Sequence, residues 1–196
     1  MRTGGPDDAA YVARVLALAF ASDPVWGDWT FPDVHGDERV GRGERFWRPY
    51  VDAALKYDGL RLAADGGAVA VWVPPGVAEM DDDDEAANER MLADVLPGRE
   101  PQLLETYERF EANHPRREPH WYLSLLATHP DHRGRGLGVA LAQDQLDVAD
   151  ATHVPAYLES TNDVNIGRYE RLGFERHGAF AVPDGPTITT MWRPAR

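Results

Sequence analysis

The stretch Leu123–Gly138, L-S-L-L-A-T-H-P-D-H-R-G-R-G-L-G, constrains this chain more than any other. It opens as an apolar run with strand character and breaks at His129-Pro130. A basic, glycine-rich segment follows and leads straight into a long helical pattern. A strand feeding a Gly/Arg loop that opens a helix is suited to phosphate. Backbone N–H groups and the positive end of the helix dipole then point at one place. The remaining sequence has to say which phosphate-bearing ligand belongs there.

The N-terminal third reads as two helices and a hairpin. Gly5-Pro6-Asp7-Asp8 is a helix start, with proline in the first turn and two aspartates where the dipole favours them. Val12, Val15, Leu16, Ala19 and Phe20 then fall on one helical face, and the helix is expected to stop near Ser22-Asp23-Pro24. The aromatic connection 25–32 serves equally as a staple under a loop or as an apolar wall for a substrate. A second helical pattern runs from about Asp37 to Tyr57. Leu60–Ala64 and Ala68–Val73 flank Asp65-Gly66-Gly67, a hairpin signal.

The middle of the chain opens with a like-charge block, Met80–Glu85, which reads as a solvated, mobile loop rather than a metal site. Two helical stretches follow from Ala86 to His114, broken at Pro97-Gly98. Trp121–Thr128 is a strand, Leu137 to about Thr152 a helix with a wide apolar face, and Ala156–Ser160 a short strand. Asn165–Leu172 is a short helix stopped by Gly173. Strand patterns at 174–177, 179–182 and 187–192 close the chain. This order predicts an α/β (α+β) domain over 1–196, with a mixed, largely antiparallel central sheet flanked by helices.

Composition excludes several function classes. There is no cysteine, so no disulfide, thiol nucleophile or cysteine metal site. No metal is expected. The net charge is −13 with no basic face, which argues against nucleic-acid binding. An acidic surface either attracts cationic substrates such as amines or simply keeps the protein soluble. No apolar run approaches the roughly 18 residues of a membrane span, and the N-terminus has no signal-peptide pattern, so a cytoplasmic setting is expected.

The glycine loop does not match a dinucleotide fold, which places it after the first strand of a parallel sheet. No Gly-Lys-Ser/Thr follows it, which removes a P-loop. Arg133-x-x-Gly136-x-Gly138, behind a strand ending Ala127-Thr128-His129-Pro130, resembles instead the acyl-CoA-binding motif of the GNAT superfamily of N-acetyltransferases, Q/R-x-x-G-x-G/A. Leu158-Glu159-Ser160-Thr161-Asn162, Asn165 and Tyr169-Glu170-Arg171-Leu172-Gly173-Phe174 resemble that family's C-terminal hallmark. Together these cover about residues 120–175. His120-x-Tyr122-Leu123, the H-P-D-H-R turn and L-E-S are similar to the small-molecule branch that includes puromycin N-acetyltransferase.

The resemblance implies a sheet with a splayed strand pair that binds CoA, and a set of residue roles. The backbone of Leu126, Ala127 and Thr128 would pair with the pantetheine arm. Arg133, Gly134, Arg135, Gly136, Leu137, Gly138 and Val139 would hold the pyrophosphate. Asn162 or Asn165 would contact the CoA arm. Tyr169 would be the general acid, a phenol of pKa about 10 and so protonated at neutral pH. A strand N–H near Leu126 would stabilise the oxyanion. The attacking amine must lose a proton, to Glu159, to His120 or to water. Trp26, Trp29 and Phe31 lie where the family places acceptor contacts.

Two departures from the family stand out. Only Arg2–Gly4 precede the first helix, so the usual first strand is nearly absent, and 81–118 is a probable helical insertion covering the acceptor side. The expected activity is acetyl-CoA-dependent transfer to a primary amine of a small molecule, by a monomer or homodimer. A CoA-binding sensor with weak catalysis and a protein or peptide N-acetyltransferase are the alternatives.

Overall fold

A computed structural model describes residues 1–196. Strand β1 is the two-residue Arg2–Thr3, and a 3₁₀ turn at Pro6–Asp8 leads into α1, Ala9–Phe20. Asp8 accepts the Gly5 N–H at 2.9 Å, the local reason the chain turns there. Helix α2 is Gly36–Lys56, and strands β2, Leu60–Leu62, and β3, Ala68–Val73, form the hairpin. Helices α3, Asp82–Val95, and α4, Glu100–Asn113, precede strand β4, Trp121–Thr128. Helix α5 is Leu137–Ala151, β5 Ala156–Ser160, α6 Ile166–Arg171, β6 Glu175–Ala181 and β7 Thr187–Arg193.

The seven strands form one sheet in the order β1-β2-β3-β4-β5-β7-β6, and β4–β5 is the one parallel pair. Each face of the sheet carries helices. Val69, Val71, Leu125 and Ala127 pack with α1 and α2, whereas Ala70, Trp72, Leu123 and Leu158 pack with α5 and α6. All six residues of β3 are buried, as expected of a strand covered on both sides. No helix is long and apolar enough to cross a membrane.

Strand β4 changes face halfway along. Val71 pairs with Leu125 but Trp72 pairs with Leu123, which leaves Ser124 as an extra residue, a β-bulge. Side chains alternate with period two, so Leu123 and Leu125 would share a face without it. With the bulge, Leu125 and Ala127 turn to α1, and Leu126 and Thr128 turn to α5. The bulge therefore aims the end of β4 at the glycine loop.

The acidic block is not a mobile loop. Asp81 is the N-cap of α3 and accepts the Asp84 N–H at 2.9 Å, while Asp84 accepts the Asp81 N–H at 3.2 Å. Lys56 lies 2.7 Å from Asp81 and 2.8 Å from Asp84. Consecutive carboxylates are tolerated here because they sit in the first helical turn, where unbonded N–H groups and the dipole favour negative charge.

Arg193, 1% exposed, ties the far end of α5 to the sheet. Its guanidinium holds the Asp150 carboxylate at 2.6 and 2.7 Å and donates to the Leu172 carbonyl at 2.9 Å. Removing one partner of a buried pair strands the other charge. Asp150→Ala is expected to lower unfolding free energy by about 3 kcal/mol in urea titrations. A loss below ~1 kcal/mol would show that the pair is not holding the helix.

Candidate functional site

Strands β4 and β5 pair only at Trp121–Ala156, Tyr122–Tyr157 and Leu123–Leu158. Beyond Leu123 they part, so on that side the backbone of 124–128 has no strand partner. Unpaired strand edges accept an extended chain bearing amides. A cleft of about 520 Å³ opens along this edge, closed by the start of α5 and by α6.

The glycine loop builds the other end of the cleft. Gly136 sits at φ 75°, a left-handed conformation that suits glycine, and serves as the N-cap of α5. The first helical bond of α5 runs from the Ala140 N–H to the Gly136 carbonyl at 2.9 Å. The amides of Leu137, Gly138 and Val139 precede it and so have no intrahelical acceptor. A Cβ on Gly138 would come within 2.9 Å of Thr128 Oγ1, so glycine is what lets helix and strand meet.

Of the residues expected to hold the donor, Leu126, Ala127, Thr128, Arg133, Gly134, Gly136, Leu137, Gly138, Val139, Asn162 and Asn165 all line this cleft. Arg133 also donates to the Ala19 carbonyl at 3.1 Å, fastening the loop to the end of α1. Arg135 is not among the residues that line the cleft. Its guanidinium lies 3.0 Å from Asp65 at the hairpin tip and 2.9 Å from His132 Nδ1, which braces the loop.

A second cavity of about 40 Å³ lies deeper between the parted strands, lined by Trp26, Ser124 and Glu159 among others. Tyr169 borders both spaces, as do Leu126 and Asn165. Burial pushes the Tyr169 hydroxyl up to about 12, so it carries its proton at neutral pH. The side chain of Glu159 is 3% exposed, and its Oε1 has no hydrogen-bond partner.

Of the three aromatic candidates, only Trp26 lines the inner cavity. Trp29 and Phe31 are corrections: neither lines either space. Trp29 donates from Nε1 to the Pro183 carbonyl at 2.9 Å, with the Arg99 guanidinium 5.2 Å over its ring. Phe31, 3% exposed, packs edge-on against Phe46 in the core. The turn that carries Trp26 is capped by Asp23, which accepts the Val25 and Trp26 N–H groups at 3.0 Å and the Thr161 hydroxyl at 2.8 Å. Asp23 therefore ties this turn to the end of β5.

His120 does not line the cavity and stands behind His114. Its Nδ1 lies 2.8 Å from the Glu118 carbonyl, which only accepts, so Nδ1 carries the proton. Burial holds the ring's pKa below the usual histidine value and keeps it neutral. Its Nε2 then accepts from His114 Nε2 at 3.0 Å, and His114 Nδ1 is left facing Glu159 Oε1 at 3.7 Å. His114, at the end of α4, escaped the sequence reading because nothing in H-P-R-R-E-P-H marks it as facing β5.

Glu79 also escaped it. The Ser124 hydroxyl, on the bulge, donates to its carboxylate. Burial pushes Glu79 up to about 7, helped by the nearby Glu159 charge and opposed by the Ser124 hydrogen bond. The only available signal was a lone glutamate after a proline-ended strand.

Residues 79–174, just under half of the chain, match the family model "Acetyltransferase (GNAT) family". A mycothiol acetyltransferase from Geodermatophilus obscurus is 29% identical over 198 residues, covering 98% of this chain and 46% of the relative. The chain spans about half the length of the curated relatives it matches. Among solved structures, "histone acetyltransferase HPA2 and related acetyltransferase" from Corynebacterium glutamicum superposes with TM-score 0.64 at 23% identity, covering 100% of this chain and 95% of that one. The "NatC complex bound to Gag peptide and CoA" reaches 0.51 at 12% identity, covering 98% and 93%. The architecture is the mixed GNAT fold expected from the sequence.

The Glu79 carboxyl makes stability depend on pH in a known direction. Its ordinary value is 4.5 and its folded value about 7. Between the two, the unfolded chain releases a proton that the folded chain keeps, so stability is lost as pH rises through this window. Glu79→Gln is expected to raise the melting temperature over the parent at pH 8, by the equivalent of about 1–3 kcal/mol, and to change it little at pH 4.5. Melting curves that stay parallel across this range would contradict the assignment.

Proposed function

We propose that this chain, which has the GNAT fold, is an acyltransferase that moves an acetyl group from acetyl-CoA to a primary amine of a small molecule, by direct transfer in a ternary complex. One observation carries the reading. Tyr169, a protonated phenol, stands where a cleft suited to a pantetheine diphosphate meets an inner cavity that holds a buried carboxylate. The cleft fits the donor in its parts: an open strand edge for amides, free helix N–H groups for the diphosphate, and a glycine where a side chain would obstruct.

Acetyl-CoA supplies the activated carbonyl. Tyr169 donates its proton to the departing thiolate. Glu159 takes the proton that the amine must lose as its nitrogen bonds to the carbonyl carbon. Trp26 walls the acceptor side, and α3 and α4, within the insertion expected at 81–118, cover it.

The small-molecule reading draws support from the small, aromatic-walled inner cavity. It also draws on the likeness of His120, Tyr122 and Glu159 to the branch that includes puromycin N-acetyltransferase. The relatives named for mycothiol are about twice as long, and their acceptor is not carried over.

The test is release of free thiol from acetyl-CoA across a panel of primary amines. Tyr169→Phe is expected to lower kcat by about 10²-fold while the acetyl-CoA Kd stays within about threefold. Gly138→Val should do the reverse, raising that Kd about tenfold or more through its clash with Thr128. An unchanged rate in Tyr169→Phe would remove its acid role. If acetyl-CoA neither binds nor is consumed, the whole reading fails.

A further inference from the structure

The donor cleft runs against the charge of the molecule. The chain is net −13, yet two arginines, Arg133 and Arg168, line the cleft. Neither is paired with a carboxylate. Arg133 donates to the Ala19 carbonyl at 3.1 Å, and Arg168 donates to the Asn165 side-chain oxygen. The one acid on the lining, Asp23, is 6% exposed and already accepts the Val25 and Trp26 N–H groups and the Thr161 hydroxyl. Two guanidiniums are thus left for an anionic ligand.

The same lining leaves two valines in the open. Val139, at the start of α5, is 40% exposed, and Val164, in the 3₁₀ turn Asp163–Asn165 that leads into α6, is 72% exposed. Single exposed apolar residues are ordinary, but two on one cleft, from different elements, offer a surface that an apolar ring can cover. Val164 and Arg168 lie about one helical turn apart along the entry to α6.

A thioester donor can lie in this cleft in one direction. Tyr169, Leu126 and Asn165 border both the cleft and the inner cavity, so the thioester end belongs with them. The amides of Leu137, Gly138 and Val139, with Arg133 at the head of the loop, suit the diphosphate. Val164 and Arg168 line the cleft but not the inner cavity. The part of CoA that remains for them is its 3′-phosphoadenosine end.

We propose that Arg168 holds the 3′-phosphate of CoA and that Val164, with Val139, packs on the adenine ring, so that the chain selects its donor by the phosphate that separates CoA from 3′-dephospho-CoA. This rests on the reading of the cleft as an acetyl-CoA site and names the residues that read the far end of the donor. The bond to Asn165 engages one guanidinium nitrogen of Arg168 and leaves the other two for phosphate oxygens. The valines contribute by removing the ring face from water.

Binding to the full chain is measured by calorimetry with two probes, CoA and 3′-dephospho-CoA. CoA is expected to bind about tenfold or more tightly. Arg168→Gln should bring that ratio below about threefold by weakening CoA alone, and Arg168→Lys should keep part of it. Val164→Ser should weaken both probes alike, by about threefold or more, whereas Val164→Ile should not. Arg90→Gln, an exposed arginine on α3 that does not line the cleft, removes the same charge and should leave the ratio unchanged. Circular dichroism melts confirm that each variant is folded.

Equal binding of CoA and 3′-dephospho-CoA by the parent overturns the proposal without any variant. So does a ratio that survives Arg168→Gln, or one that falls as far in Arg90→Gln. A loss in Arg168→Gln shared by both probes would put Arg168 on the diphosphate and overturn it too, and parent-like binding by Val164→Ser would remove the adenine contact. Failure of the underlying reading looks different: neither probe binds.

Discussion

The parting of β4 from β5 after Leu123 and Leu158 is the constraint on which the rest depends. A parallel pair that stayed bonded would leave no edge for a donor and no path between the two faces of the sheet. The pair is buried on the α5 side by Leu123, Leu158, Leu146 and Phe174. Beyond that point Tyr169, Leu126 and Asn165 line the space between the strands. The bulge at Ser124 then turns Leu126 and Thr128 toward Gly138. Local β geometry, rather than any single catalytic side chain, decides where donor and acceptor can meet.

The two sides of the gap are chemically distinct. The donor side is made of backbone: an unpaired strand edge and the first amides of a helix, with few charged side chains. The acceptor side is made of side chains, with buried acids, tyrosines and a histidine pair. That division is physically sensible. Backbone groups recognise amides and phosphates that never change, whereas an acceptor has to be selected by side chains that can. Behind Glu159 stand His114 and His120, which share a hydrogen bond of 3.0 Å, with the His120 tautomer set by the Glu118 carbonyl.

The donor side was legible in the sequence because its signals are local. Arg133, Gly136 and Gly138 sit within six residues, and helix, strand and turn signals around them agree. The hairpin at Asp65-Gly66-Gly67 was legible for the same reason, and Asp65 accepts the Gly67 N–H at 3.0 Å as such a turn requires. The acceptor side was mostly not legible. Glu79 meets Ser124 across 45 positions, and His114, at the end of α4, comes to face Glu159 on β5 through tertiary packing that no periodicity announces. The acidic block misled because like charges in sequence read as solvated chain. A helix start with Lys56 opposite it needs the tertiary fold to be seen. Trp29 and Phe31 misled because aromatic side chains serve cores and pockets alike, and only the packing of Pro183 and Phe46 against them decides.

The central claim is that the β4 edge and the start of α5 together grip the donor. Backbone hydrogen exchange with and without acetyl-CoA tests it most directly. The account predicts slower exchange over both 124–128 and 134–139 on binding, with the exposed stretch of β6 at 175–178 unaffected. Protection confined to one of the two segments, or spread to β6 as well, would contradict it.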